Sequence, residues 1–171
     1  MSDSIAAMPF DYVTHWDGTA SPEAESDVLA FWQREGALAN DTKADDRLKQ
    51  IVLHARDGGE VAAVCTVMPL TLPRLGQPMY YYRCFIGKRW RATRLVFKLL
   101  IRAFDVLEAY ARAHDFPCIG VVLELENARF GESLRTPVWP STKFIYVGKS
   151  GRNLDLRLRY FRGARLKKAS G

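Results

Sequence analysis

Long hydrophobic runs are missing from this chain. No stretch of about 18 or more uncharged apolar residues occurs, which argues against a transmembrane helix. Met1-Ser2-Asp3-Ser4 lacks the basic segment and apolar stretch of a secretory leader, so a cytoplasmic location is expected. Cysteine is scarce and odd in number. Cys65, Cys84 and Cys118 fall in β-prone segments without metal-ligand spacing. They are expected to be small buried hydrophobes in a reducing compartment, with no metal. Histidine is equally sparse, and the sequence sets none of His15, His54 and His114 beside a cysteine as its base. Acidic charge is in the minority: 25 Lys and Arg against 19 Asp and Glu leave a net charge of +6. That balance favours an anionic partner, whether a phosphorylated cofactor, nucleic acid, an acidic protein or a membrane surface.

What is present describes one ordinary globular domain. The chain has 171 residues, 48% apolar and 26% charged, enough to bury a core, and no internal repeat. Residues 1–20 form an N-terminal arm with a strand near Phe10-Asp11-Tyr12-Val13; residues 21–162 form the domain; residues 163–171 are a basic tail expected to fray from Arg162. Ser21-Pro22-Glu23 is a helix start, with a capping hydroxyl, a proline at the first helical position and an acid at the positive end. Gly36 and Asn40-Asp41 end that helix, and a short helix follows over Ala44 to Leu48. Gln50–Arg56 and Glu60–Met68 are strands joined by Asp57-Gly58-Gly59, a hairpin signal because these residues tolerate positive φ. The prolines between Pro69 and Pro78 predict a loop over Leu70–Pro78.

The stretch Tyr80–Glu126 organises the rest. Met79–Ile86 is aromatic and β-prone, and Gly87-Lys88-Arg89-Trp90-Arg91 turns the chain. From Ala92 the period changes: Leu95, Val96, Leu99, Leu100, Ala103, Leu107 and Tyr110 recur at helical spacing until Pro117. Cys118–Leu125 is then a buried strand, which completes a βαβ unit. An irregular stretch or short helix over Asn127–Gly131 follows, and a final hairpin pairs Lys143–Val147 with Asn153–Phe161 across Gly148-Lys149-Ser150-Gly151. In the last strand Leu154, Leu156, Leu158 and Tyr160 face one way and Asp155, Arg157, Arg159 and Phe161 the other. The fold class is α+β, a mixed, mostly antiparallel sheet flanked by helices.

A ligand phosphate is to be sought at the start of the long helix. Arg91, Arg94, Lys98 and Arg102, spaced three, four and four, share one helix face. Glu124 and Glu126 alternate to one face of their strand near its C-terminal end, as candidates for a base or as a polar face paired with Arg83. Tyr146 on a neighbouring strand is a candidate proton donor, or a structural tyrosine with its hydroxyl at the rim. Tyr80, Tyr82 and Phe161 interleaved with Arg157 and Arg159 admit a competing reading, a face that stacks nucleic-acid bases.

The order of elements resembles the GNAT acetyltransferase superfamily over about residues 21–162. The family pattern Val-x-Pro-x-x-Arg-Gly-x-Gly-x-Gly-x-x-Leu-Leu aligns with Ile86 through Leu100, with Arg91 and Leu99-Leu100 in register. The resemblance implies acyl transfer from acetyl-CoA or a longer acyl-CoA to an amine or hydroxyl. It implies donor contacts from Phe85, Ile86, Arg91, Ala92, Thr93, Arg94, Leu95, Val96 and Asn127. Arg94 and Val96 replace family glycines whose amides cradle the pyrophosphate, and Arg94 offers charged hydrogen bonds in their stead. Trp139 takes the place of the family's frequent tyrosine acid, and its indole cannot protonate a thiolate. These departures leave open a GNAT-like binding domain without catalysis. Arg83-Cys84-Phe85 is also loosely similar to acyl-homoserine-lactone and N-acyl amino acid synthases, which implies acyl carrier protein as a further possible donor.

Overall fold

A computed structural model describes residues 9–38, 43–127 and 134–168. The expected helix end at Asn40-Asp41 and the irregular stretch from Ala128 to Gly131 lie outside the described residues. Seven strands are hydrogen-bonded in the order β1-β2-β3-β4-β5-β7-β6: β1 (Asp11–Thr14), β2 (Ile51–Asp57), β3 (Glu60–Leu72), β4 (Gln77–Ile86), β5 (Gly120–Leu125), β6 (Ile145–Lys149) and β7 (Asp155–Tyr160). The helices are α1 (Pro22–Glu35), α2 (Ala44–Leu48) and α3 (Leu95–Ala113). Pairing is antiparallel for β1–β2, β2–β3, β5–β7 and β6–β7, and parallel for β4–β5. The chain divides into two compact units, Met1–Thr66 with Cys84–Leu99, and Val67–Arg83 with Leu100–Gly171.

In the first unit the sequence signals act where expected. Ser21 is extended and accepts the Ala24 amide at 3.2 Å, with Pro22 opening α1 and Gly36 closing it at φ 64°. Such a cap contributes about 1 kcal/mol. α1 buries Val28, Phe31 and Trp32 against Ile51, Val61 and Val64, with Phe85 packed edge-on to Phe31 at 5.8 Å. The hairpin turns at Gly58, φ 60°. Within the arm, β1 pairs with β2, Val13 opposite His54.

The second unit holds a sheet region covered on both faces. Register puts Tyr81, Val122, Glu124, Leu156, Leu158 and Ile145 on one face. There Met79, Ile119, Val122, Leu156 and Leu158 form a core, over which Leu72 and Leu75 of the β3–β4 hairpin pack. Tyr80, Val121, Leu123, Arg157, Arg159 and Tyr146 share the opposite face. α3 covers that side, its Phe104 lying 5.2 Å from Phe161 and 6.1 Å from Phe144.

Several boundaries differ from expectation. The proline-rich stretch is not a long loop: β3 runs to Leu72 and β4 begins at Gln77. Pro69 lies beyond Thr66, the last β3 residue in register with β2, so its missing N–H breaks no bond to that neighbour. α3 starts at Leu95 rather than Ala92, and ends at Ala113, ahead of Asp115 and Phe116 in left-handed conformation. The final hairpin turns after Lys149, since Gly148 is paired with Leu156 inside β6. As far as Lys168, the basic tail is tied down rather than frayed. Glu108 accepts the Arg162 amide at 2.8 Å, and Gln77 binds both the amide and the carbonyl of Lys167, at 2.7 and 3.1 Å.

Candidate functional site

The turn ahead of α3 is built by close approach and by carboxylates. Gly87 donates to the Ala62 carbonyl at 2.9 Å, and a Cβ there would stand 2.8 Å from the Trp90 ring and 3.1 Å from Phe31. No larger residue fits without moving that buried indole. Trp90 donates through Nε1 to Asp57 at 2.8 Å, Arg89 pairs with Glu60 at 2.7 Å, and Glu35 accepts the Lys88 amide at 3.3 Å. Three carboxylates thus brace residues 88–90.

Several backbone donors of this turn are already engaged. The Trp90 amide bonds Gly87, the Thr93 amide bonds Trp90, and the Leu95 amide bonds the Thr93 hydroxyl at 3.3 Å. The amides of Phe97 and Lys98 both reach the Arg94 carbonyl. What the turn offers outward is side-chain charge. Arg91, Ala92, Thr93, Arg94 and Lys98 are exposed, and Arg91 is steadied by the Ile86 carbonyl at 3.3 Å with its guanidinium 5.9 Å from the Phe85 ring. Phe85, Ile86 and Val96 are half-buried, and the Leu95 side chain belongs to the core.

In the second unit, β4 and β5 pair at Tyr80–Val121 and Tyr81–Val122, and both strands run on beyond. Glu124 lies two residues past that ladder. Its Oε1 accepts the Tyr81 hydroxyl at 3.1 Å, and its Oε2 accepts Ser150 Oγ at 2.9 Å and Arg152 Nε at 3.1 Å. Arg152 also reaches Glu126 at 3.0 Å, so the cation that pairs with these acids is Arg152, not Arg83. Burial first, then the Glu124 carboxylate, pushes the Tyr81 hydroxyl above its usual pKa. The two glutamates likewise hold Arg152 above its own. Asn127 is exposed at the end of this segment.

Sequence reasoning missed Tyr81, Ser150 and Arg152. Tyr81 was within reach, because a parallel register with Val122 puts it on the face of Glu124. Arg152 sits in a turn and carries no periodic signal.

Tyr146 is not brought together with Glu124. It pairs with Arg157, whereas Glu124 pairs with Leu156, so the two candidates occupy opposite faces of the sheet. Tyr146 stands 43% exposed. Beside it Arg157 is only 2% exposed and donates to the carbonyls of Leu134, Thr136 and Pro137 at 3.0, 2.9 and 3.3 Å. Its guanidinium lies 4.4 Å from the Trp139 ring, and burial lowers its pKa. Trp139 is buried and donates to the Leu134 carbonyl at 3.1 Å, which makes it a wall of this segment.

The same burial removes the base-stacking face. Tyr80, Tyr82, Arg157 and Phe161 are interior, and Arg159 lies 3.9 Å over the Phe104 ring. Cys65 and Cys118 are buried and Cys84 is half-buried, and the three are thiols rather than disulfides. Among the described residues no cluster could hold a metal ion, and no helix is long and apolar enough to cross a membrane.

No family model matches the chain, and no curated protein matches it. Its fold does match solved structures. The GNAT-family acetyltransferase from Streptococcus pneumoniae has a TM-score of 0.57 at 15% identity, covering 90% of this chain and 99% of that one. The protein yncA from Salmonella typhimurium, solved with its cofactor acetyl-CoA, has a TM-score of 0.58 at 17% identity, over 95% and 99%. A variant of the AtaT toxin, bound to the C-terminus of the antitoxin AtaR and acetyl-CoA, has a TM-score of 0.51 at 13% identity, over 89% and 92%. At such identities the likeness is one of fold.

Proposed function

We propose that this chain, which has the fold of the GNAT acetyltransferases, transfers an acyl group from acetyl-CoA to an amine or hydroxyl acceptor. The observation that carries the reading is the braced turn ahead of α3, with Arg91, Arg94 and Lys98 exposed in the segment that aligns with the family's donor pattern. The fold neighbours solved with acetyl-CoA support that donor.

In this reading Arg91 and Arg94 neutralise the donor phosphates by side chain, where glycine amides would otherwise do so. Phe85 and Ile86 line the acyl end. Acyl transfer then needs the acceptor nitrogen or oxygen held against the thioester carbon, so that it bonds that carbon and loses its proton as the C–S bond breaks and CoA leaves as the thiolate, which takes a proton from solvent. Glu124 takes the acceptor's proton once the exposed Arg152 moves aside. Tyr146, on the other face, is not its partner. Acyl carrier protein remains a second donor, supported by the exposed Lys98 and Arg102 farther along the helix.

Isothermal calorimetry with acetyl-CoA, a long-chain acyl-CoA and free CoA tests the reading. Binding of a CoA species, weakened tenfold or more by Arg94→Glu (about 1.4 kcal/mol), is the expected result. No binding of any CoA, with binding of acyl carrier protein, would move the reading to the second donor. Binding of CoA with unchanged affinity in Arg94→Glu would remove Arg94 from the site.

A further inference from the structure

His15 follows β1 directly, and His54 lies in β2 opposite Val13. Val13 and His15 are two residues apart, so both imidazoles fall on one face of the ribbon. His15 Nε2 and His54 Nδ1 are 2.6 Å apart, and the rings meet edge-on at 4.9 Å. Both side chains are interior, His54 completely. Their outer nitrogens, His15 Nδ1 and His54 Nε2, are buried without a hydrogen-bond partner among the described residues.

This arrangement tolerates one proton between the rings and resists a second. With both rings neutral, one outer nitrogen is an N–H and the other a lone pair, whichever ring donates. An added proton turns both outer nitrogens into buried donors with no acceptor. Of the charges that reach the pair, Arg56 opposes that proton and Asp27 favours it. Arg56, two residues along β2, repels a cation, and Asp27 of α1 already pairs with Arg56 at 2.6 Å. On β3, the residue paired with His54 is the uncharged Val64. Burial, then the neighbouring charges, holds both histidines below their usual value, His54 down to about 3.

We propose that the His15–His54 contact is an acid-sensitive latch that holds the edge strand β1 on β2 and releases it as the pH falls from about 7 to about 5. β1 stands at the end of the strand order, so its departure undoes pairing with β2 alone. The sign follows from linkage. A released histidine regains a pKa of about 6.5 and binds a proton that the docked one refuses. Docking is therefore at full strength above that value and weakens as the pH drops below it. Each proton taken up on release raises the opening constant about tenfold per pH unit, and two protons about a hundredfold.

Hydrogen exchange on the intact protein at about pH 7, 6 and 5, normalised for intrinsic exchange, is the test. Amides of the β1–β2 seam, including His15 to Val52, should open at least about tenfold more at pH 5 than at pH 6, while α1 amides do not change. The double variant His15→Gln, His54→Gln, whose amides can share the same contact, should lose that slope. Seam opening that is flat with pH, or that rises in step with α1, overturns the latch, as does an unchanged slope in the double variant. Should that variant not fold, imidazole proton shifts in the wild type decide. Rings that titrate near pH 6.5 with the seam still protected overturn the latch. Rings silent to about pH 5 while docked support it.

Discussion

The turn that leads into α3 and the end of β5 use the same kinds of residue in opposite ways. Ahead of α3, the carboxylates of Glu35, Asp57 and Glu60 are spent on holding residues 88–90, and the cations Arg91, Arg94 and Lys98 face solvent. At the end of β5, Glu124 is surrounded by Tyr81, Ser150 and Arg152, so its charge is consumed within the structure. The first arrangement leaves positive charge for an anionic ligand. The second ties β4, β5 and the β6–β7 turn together, and a substrate must displace a resident donor to reach it. Charged residues near a strand end are thus not equivalent candidates for chemistry. What matters is whether their hydrogen-bonding capacity is already taken.

Substitutions can break this contrast, and the largest effect is expected at Glu124. Glu124→Ala strips three donors of their acceptor, one of them the half-buried Tyr81 hydroxyl, and should cost about 2–3 kcal/mol in denaturant unfolding. Glu124→Gln, which keeps an acceptor, should cost less. Gly87→Ala pushes a methyl against Trp90 and Phe31 and should cost about 2 kcal/mol by the same measurement. Asp57→Ala removes the acceptor of the Trp90 indole, for about 1 kcal/mol. Arg94→Glu should move stability by no more than about 0.5 kcal/mol while weakening acetyl-CoA. Were Arg94→Glu as destabilising as Glu124→Ala, the two regions would not differ as described. Binding through exposed guanidinium groups should also weaken as salt rises, which a titration at two ionic strengths would show.

Much of the fold is legible in the sequence because local chemistry decides it. Ser21-Pro22 and Gly36 delimit α1, and Gly58 turns the first hairpin. The strand–helix–strand unit follows from the change of period between Tyr80 and Val121. The face of β7 is another matter. Its alternation correctly separates Arg157 and Arg159 from Leu156 and Leu158, yet arginines read as a solvent face. Periodicity says which residues share a face, not what covers it. Here α3 and the carbonyls of residues 134–137 cover it, so the two terminal nitrogens of a buried Arg157 find backbone acceptors that no pattern announces. The candidate site divides likewise. Arg91 and Arg94 are exposed, but in the turn ahead of α3 rather than on the helix face expected of them, and the separation of Glu124 from Tyr146 depends on a cross-strand register set by the β6–β7 turn.

The grip of Gln77 on Lys167 has a consequence for how the chain meets a protease. The segment after β7 is rich in tryptic bonds, at Arg162, Arg165, Lys167 and Lys168. A protease needs several residues drawn out in extended form, and Gln77 holds both backbone groups of one of them. Digestion should therefore cut after Arg165 and Lys167 slowly. Gln77→Ala should bring those cuts forward and leave the remaining fragments in the same order. A single amide side chain, placed at the start of a strand more than eighty residues away in sequence, sets the durability of this basic end.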